Sequence, residues 1–248
     1  MFSAFFHNFL YAPIYNLLVF LVGLVPGGDV GLAVIIATVI VKLIIMPLSL
    51  RAVRTQRQMK LIEPQLRALK ETHKNDRERQ AKEMLTLYRE HNIRPFASIL
   101  GILIQLPIIV ALYFVFSREA LLNIDPSLLY SFVGVPETIS PLFLGTFVVT
   151  GSSVILAVLA GLAQAAHARL SVPVPDAPAA GAVRSMGDDF GRIMAMQARY
   201  ILPVIVVVIA YITSGAVALY FITSSLVGLL QEWVVRRMKH PESPSSAA

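Results

Sequence analysis

The sequence predicts an all-α membrane protein: five core transmembrane helices, a cytoplasmic two-helix hairpin and an N-terminal interfacial helix. Three observations lead there. Of 248 residues, 56% are hydrophobic and only 15% charged, where soluble domains run to about a quarter charged; mean hydropathy is +0.69. The apolar residues fall in long blocks, as in a chain that crosses a bilayer several times. The basic residues gather in a few of the segments between those blocks.

Five blocks have the composition of spanning helices: Leu32–Leu50, Phe96–Phe116, Pro141–Ala165, Tyr200–Thr213 and Ala216–Val235. With their flanks they set spans at 31–50, 95–117, 141–165, 200–213 and 216–235. A bilayer core takes roughly 20 residues of helix, so the fourth is short unless Ile193–Arg199 joins it. The last two form one apolar run broken at Thr213-Ser214-Gly215, which reads as a helical hairpin. Ahead of them, within residues 1–30, Ala12–Val25 is apolar but holds Pro13 and Asn16 and ends at Pro26-Gly27-Gly28-Asp29. About 14 residues favour a helix lying along the interface, with a sixth span as the alternative. No Lys or Arg precedes it, so a cleavable signal peptide is not expected.

Loop charge sets the orientation. Segment 51–94 carries 12 Lys/Arg against six Asp/Glu, 166–199 is Arg-bearing, and the tail 236–248 holds Arg236, Arg237 and Lys239. Five spans put all three on one side, which the positive-inside rule makes cytoplasmic. Met59, Ile62, Leu66 and Leu69 recur at helical spacing, as do Met84, Leu85, Leu87 and Tyr88, so 51–94 reads as a basic helical hairpin. Pro64 bends its first arm, and Asn75 with Glu78 fits a capping box opening the second. Such a surface suits anionic headgroups or ribosomal RNA, with an attraction that weakens as salt rises. The charge distribution gives no reason to expect a specific DNA partner. Ser171–Asp189 reads as a flexible connector.

One residue is costly. Lys42 lies in the middle of the first span, where a charge costs about 2.5–3.5 kcal/mol. Arg51, at the span's end, is about 13 Å further along the axis, beyond a lysine stem of roughly 6 Å. No acid lies within the spans to pair it, because Glu232 sits four residues before Arg236 at a helix end. Lys42 therefore reads as a functional residue facing a polar cavity. Thr38, one turn earlier, Gln105 in the second span, and Tyr220, Thr223, Ser224 and Ser225 in the last are available to join it. Ala157, Gly161 and Ala165 have helix-packing spacing.

The remaining chemistry is sparse. With no cysteines, thiolate metal sites and cysteine nucleophiles are excluded. There is no phosphate-binding G-x-x-x-x-G-K-[ST] loop, no intramembrane acid pair, no histidine spacing for a metal and no serine in a nucleophile motif beside Lys42. The expectation is a non-enzyme without cofactor or metal.

Several strings resemble the YidC-type membrane protein insertases. They are YAPIYNLL, VIVKLIIMPLSL, RQMKLIEPQLRALKE, MLTLYREHNIRPF, ILIQLPIIVALYFVF and ITSGAVALYFITSSLVGLLQEW, in that order across nearly the whole chain. The resemblance implies an insertase core whose five helices enclose a hydrophilic groove, open to the cytoplasm and the lipid and closed outside. It implies insertion and folding of newly made membrane proteins in a bacterial plasma (inner) membrane. Implied partners are the nascent chain, the bilayer, the ribosome through hairpin 51–94, and a Sec-type translocon. Lys42 takes the position of the family's groove arginine, and Gln105 and Tyr220 match groove positions. This chain departs from the pattern in having lysine there, no large domain before the first span, and a short tail after Trp233. The competing reading is a small-solute or anion transporter using Lys42 as its site.

Overall fold

The computed structural model describes residues 6–73, 76–91, 93, 107–115, 123–171 and 195–237. Gln105 and the connector 172–194 lie outside them. The chain divides into two compact units: Met1–Ile44 with Gln105–Leu230, and Ile45–Ile104 with Gln231–Ala248.

In the first unit, helix α1 runs His7–Leu24, opening with a π turn, His7–Tyr11. Its 18 residues exceed the stretch expected from composition, and by length and apolarity it qualifies to cross a bilayer. Its partners run along one segment of chain. Asn16 is 2% exposed; its amide donates to the Leu128 carbonyl at 3.0 Å and accepts from the Tyr130 N–H at 2.7 Å. The Tyr15 hydroxyl accepts from the Asp125 N–H, Pro136 packs over Gly23, and Phe6 meets Phe114 edge to face. A buried amide without partners would cost free energy, so Asn16 fixes the helix to the 123–130 loop.

Pro26–Gly28 then turns the chain, with Gly27 and Gly28 at φ +70° and +65°. A Cβ on Gly28 would collide with the Thr138 carbonyl, so this approach is open only to glycine. Helix α2, Val30–Leu61, is capped by Asp29, whose carboxylate accepts from the Leu32 N–H at 2.9 Å and the Leu144 N–H at 2.8 Å. Backbone bonds add to this clasp, from Ser140 N–H to Gly28 and from Val30 N–H to Ser140. A two-stranded ribbon follows, β1 Leu142–Phe143 and β2 Phe147–Val148. From its end, Val149 and Gly151 accept from Ala216 and Gly215.

The third apolar block is therefore not one helix from Pro141. Residues 141–153 form ribbon and loop, and the helix α6 occupies Val154–Ser171, with the Ser153 hydroxyl accepting from the Leu156 N–H. Hydropathy cannot separate the two because Phe143, Phe147 and Val148 are as apolar as the helix. Gly145 (φ +69°) and the capping Ser153 mark the change. Before the ribbon, residues 107–115 form the described part of helix α5. Helix α7 runs Gln197–Ile212 and is shorter than a usual span. The apolar run then breaks at Thr213-Ser214, and α8 occupies Gly215–Arg237, with Ser214 capping Val217. Helices α6 and α7 pack closely at Gly161, where an added Cβ would collide with the Val207 side chain and stand 3.2 Å from the Pro203 carbonyl oxygen.

In the second unit, α2 continues without a break through Pro47. It ends at Ile62, which is buried, and Pro64 opens α3, Glu63–Thr72. Pro64 suits a first turn because its missing N–H has no partner to lose. Helix α4, Arg77–Glu90, is capped by the Asp76 carboxylate accepting from the Arg79 N–H at 3.0 Å, one residue later than the expected cap at Asn75. His73 and Glu83 join the two arms at 2.7 Å. At the end of α8, Ser49 donates to Gln231, Glu232 accepts from Arg236, and Arg237 lies over the Trp233 ring.

Three substitutions test these constraints by thermal unfolding in detergent. Asp29→Ala, losing both acceptors, should destabilise by about 2 kcal/mol, and Asp29→Asn by less. Gly161→Val should cost ~1–3 kcal/mol through overpacking against α7. Asp76→Ala should lower the helicity of the hairpin and cost about 1 kcal/mol. Unchanged melting in any of the three refutes the corresponding contact.

Candidate functional site

The expected site centres on Lys42, and the structure places it on the apolar part of α2, half-buried. Among the described residues no carboxylate pairs with it and no hydrogen bond reaches it. Glu232, the acid nearest in sequence terms to the last span, is engaged by Arg236. The ammonium is thus not neutralised by an acid among the described residues.

The other expected residues are placed differently. Thr38 is buried one turn before Lys42 and donates to its own helix at the Val34 carbonyl, 2.7 Å away. Tyr220 is 3% exposed and stands edge-on to Phe221. Thr223 is buried on α8, as are Ser224 and Ser225. No described hydrogen bond links Lys42, Thr38, Tyr220 and Thr223 to one another. Gln105 falls outside the described residues.

Helix α6 supplies polar groups that the sequence reading passed over. The Ser225 hydroxyl donates to the Gln164 side-chain oxygen at 3.0 Å. One turn on, the far edge of the His167 ring lies over Gly228, where an added Cβ would stand 2.5 Å from Nε2. Helices α6 and α8 of the first unit therefore meet at Gln164, His167, Ser225 and Gly228. The signal in the sequence was Gln164 and His167 at i, i+3 on one helical face. It was obscured because the helix was expected to end at Ala165.

The profile described as 60Kd inner membrane protein matches residues 21–242. The chain belongs to this family. Membrane protein insertase YidC of Clostridium tetani (strain Massachusetts / E88) is 29% identical over 223 residues, covering 90% of this chain and 89% of that protein. Membrane protein insertase YidC of Francisella tularensis subsp. novicida (strain U112) is 30% identical over 210 residues, 85% of this chain. The chain spans only 33% of that second relative. The 60Kd inner membrane protein family is one of insertases and not of enzymes. With four described helices long and apolar enough to cross, the chain is a multi-pass inner membrane protein.

Proposed function

We propose that this chain is a membrane protein insertase, taking newly made integral membrane proteins into the bilayer through a polar groove centred on Lys42. The observation that carries the reading is a half-buried lysine in the middle of an apolar helix, with no carboxylate partner among the described residues, in a chain of this family. Moving a hydrophilic segment through lipid is the costly step. A cation and a few polar groups partway down shorten the dry distance, and burial of the substrate's own apolar helix supplies the drive without nucleotide. Lys42 attracts acidic parts of the entering chain. In this reading Thr38, Gln105, Tyr220 and Thr223 act with Lys42 on the entering chain. The short α7 favours a locally thinned bilayer.

In this reading the hairpin 51–94 and the tail 236–248 are cytoplasmic, as their basic charge directs. The hairpin faces the ribosome or the emerging chain, and a Sec-type translocon is a further partner. Spans 31–50, 95–117, 141–165, 200–213 and 216–235 keep their order, with the third helix displaced to Val154–Ser171. Helix α1 lies along the outer surface although its length would let it cross. Its partners Phe114, Asp125, Leu128, Tyr130 and Pro136 all fall at the end of α5 or in the loop that follows. A crossing helix of 18 residues would carry one end about 27 Å from that loop. The transporter alternative gains no support from the two relatives described above, which carry insertase names.

The test is a Lys42 series in proteoliposomes, scored by protease protection of a single-span substrate. Lys42→Arg should retain insertion, whereas Lys42→Glu should cut it about tenfold or more for substrates with acidic translocated segments. Equal insertion by all three would remove Lys42 from the mechanism. Saturable anion flux abolished by Lys42→Ala would favour the transporter instead.

A further inference from the structure

The loop that leads from α5 to the ribbon carries its large apolar side chains outward. Phe132 is 75% exposed and Val135 55%, and the exposed Tyr130 ring stands 5.6 Å from that of Phe132. Val133, between them, turns inward and is buried. The loop runs beside α1, held at Asn16 through Leu128 and Tyr130 and at Gly23 through Pro136. Next to that second contact α1 leaves Phe20 and Leu24 exposed, one turn apart on one face. Loop and helix thus present an apolar stripe of the kind that marks a partner or a membrane.

Two further features decide what covers it. Charge is scarce: residues 123–153 contain no Lys or Arg, and their acids are Asp125 and Glu137. Asp125 is engaged within the loop, accepting from the Ser127 N–H at 2.9 Å and the Ser127 hydroxyl at 2.7 Å. The backbone is also closed on itself. The N–H groups of Leu128, Leu129 and Val133 donate to the carbonyls of Asp125, Pro126 and Tyr130. Asn16 takes the Tyr130 N–H and donates to the Leu128 carbonyl. Against hydrocarbon every unpaired backbone group is costly. A paired backbone beneath outward aromatic side chains therefore suits the boundary between headgroups and acyl chains.

We propose that loop 129–136 is a lipid-binding element, with Tyr130, Phe132 and Val135 seated among the glycerol and upper acyl groups of the outer leaflet. Its ligand is the acyl–glycerol region of a phospholipid and not a charged headgroup, since the loop has no basic side chain to select one. Asn16 ties α1 to this loop, and Ser140, further along the same segment, ties the start of α2. Both helix ends are thereby held at a fixed depth. This surface lies beyond the insertase reading and rests only on its orientation, with hairpin 51–94 cytoplasmic.

The chain has one tryptophan, Trp233, and no cysteine, so single probes can be placed in the full protein. In a Trp233→Phe background, Phe132→Trp and separately Val135→Trp report on the loop, with Glu137→Trp as the aqueous control. Each is reconstituted in zwitterionic vesicles with or without anionic lipid. Lipids brominated near the glycerol end of their chains should quench the indoles at 132 and 135 more than lipids brominated near the methyl end. Acrylamide should quench both about threefold less than the indole at 137, and anionic lipid should change neither result by more than about twofold. Acrylamide quenching equal to that at 137 would place the side chains in water. Protection from acrylamide without quenching by either brominated lipid would mean that protein covers them, and stronger quenching from the methyl end would put the loop in the hydrocarbon core. Each of these overturns the proposal. The side is read separately, because Glu137→Cys in intact spheroplasts should react with a membrane-impermeant maleimide. If it does not, the orientation falls and the outer leaflet with it, while quenching still decides whether the loop enters lipid.

Discussion

The carboxylate of Asp29 is the contact on which the rest of the first unit's arrangement depends. It caps α2 through Leu32 and, with its other oxygen, holds the N–H of Leu144 at the tip of the ribbon. Leu144 sits at φ +50°, a conformation that costs a non-glycine residue roughly 1–2 kcal/mol, so the bond to Asp29 offsets local strain. From the same ribbon, Val149 and Gly151 receive the first N–H groups of α8. The orphan amides of two helix ends are thus satisfied by one loop, which lets both helices end together at one face without water having to enter.

That clasp gives the location of Lys42 its meaning. At about 1.5 Å per residue, Lys42 lies some 18 Å along α2 from its first residue. The end held by Asp29 is built from paired backbone and packed apolar groups, with Phe143 lying directly over Gly31. Lys42 itself is half-buried, with no carboxylate partner among the described residues. The helix therefore changes character along its length, from a stitched, apolar end to a lone ammonium partway down. In the insertase reading this asymmetry admits a hydrophilic segment from one side without a conduit, whereas solute transport needs access from both faces.

Much of this was legible in the sequence. Long apolar blocks, the single lysine among them and the clustered basic residues lead to the membrane class and to the family, and the strings around Lys42 and Tyr220 carry the resemblance. Pro64 marked the break at Ile62, and Thr213-Ser214 the separation of α7 from α8. Other features were hidden for physical reasons. Residues 141–153 are as hydrophobic as a helix, so only Gly145 and Ser153 betrayed the ribbon. That misplacement left His167 in a supposed connector, although Gln164 and His167 share a face. Asn16 argued for a short, irregular helix by composition, but the 123–130 loop satisfies its amide and the helix persists to 18 residues. Tertiary contact decided each of these, and a periodicity argument has no access to it.

Lysine at position 42 has a physical consequence of its own. A guanidinium brings a rigid fork of five donors and can clasp a carboxylate alone, whereas an ammonium is a compact point charge with flexible reach. In the insertase reading Lys42 thus supplies attraction, and the direction in which a hydrophilic segment lies is left to the helices that form the walls. Two of these, α6 and α8, are fastened to each other by the Ser225–Gln164 hydrogen bond and by the His167 ring seated over the bare backbone of Gly228, so they keep their register against each other while an attracted segment moves past.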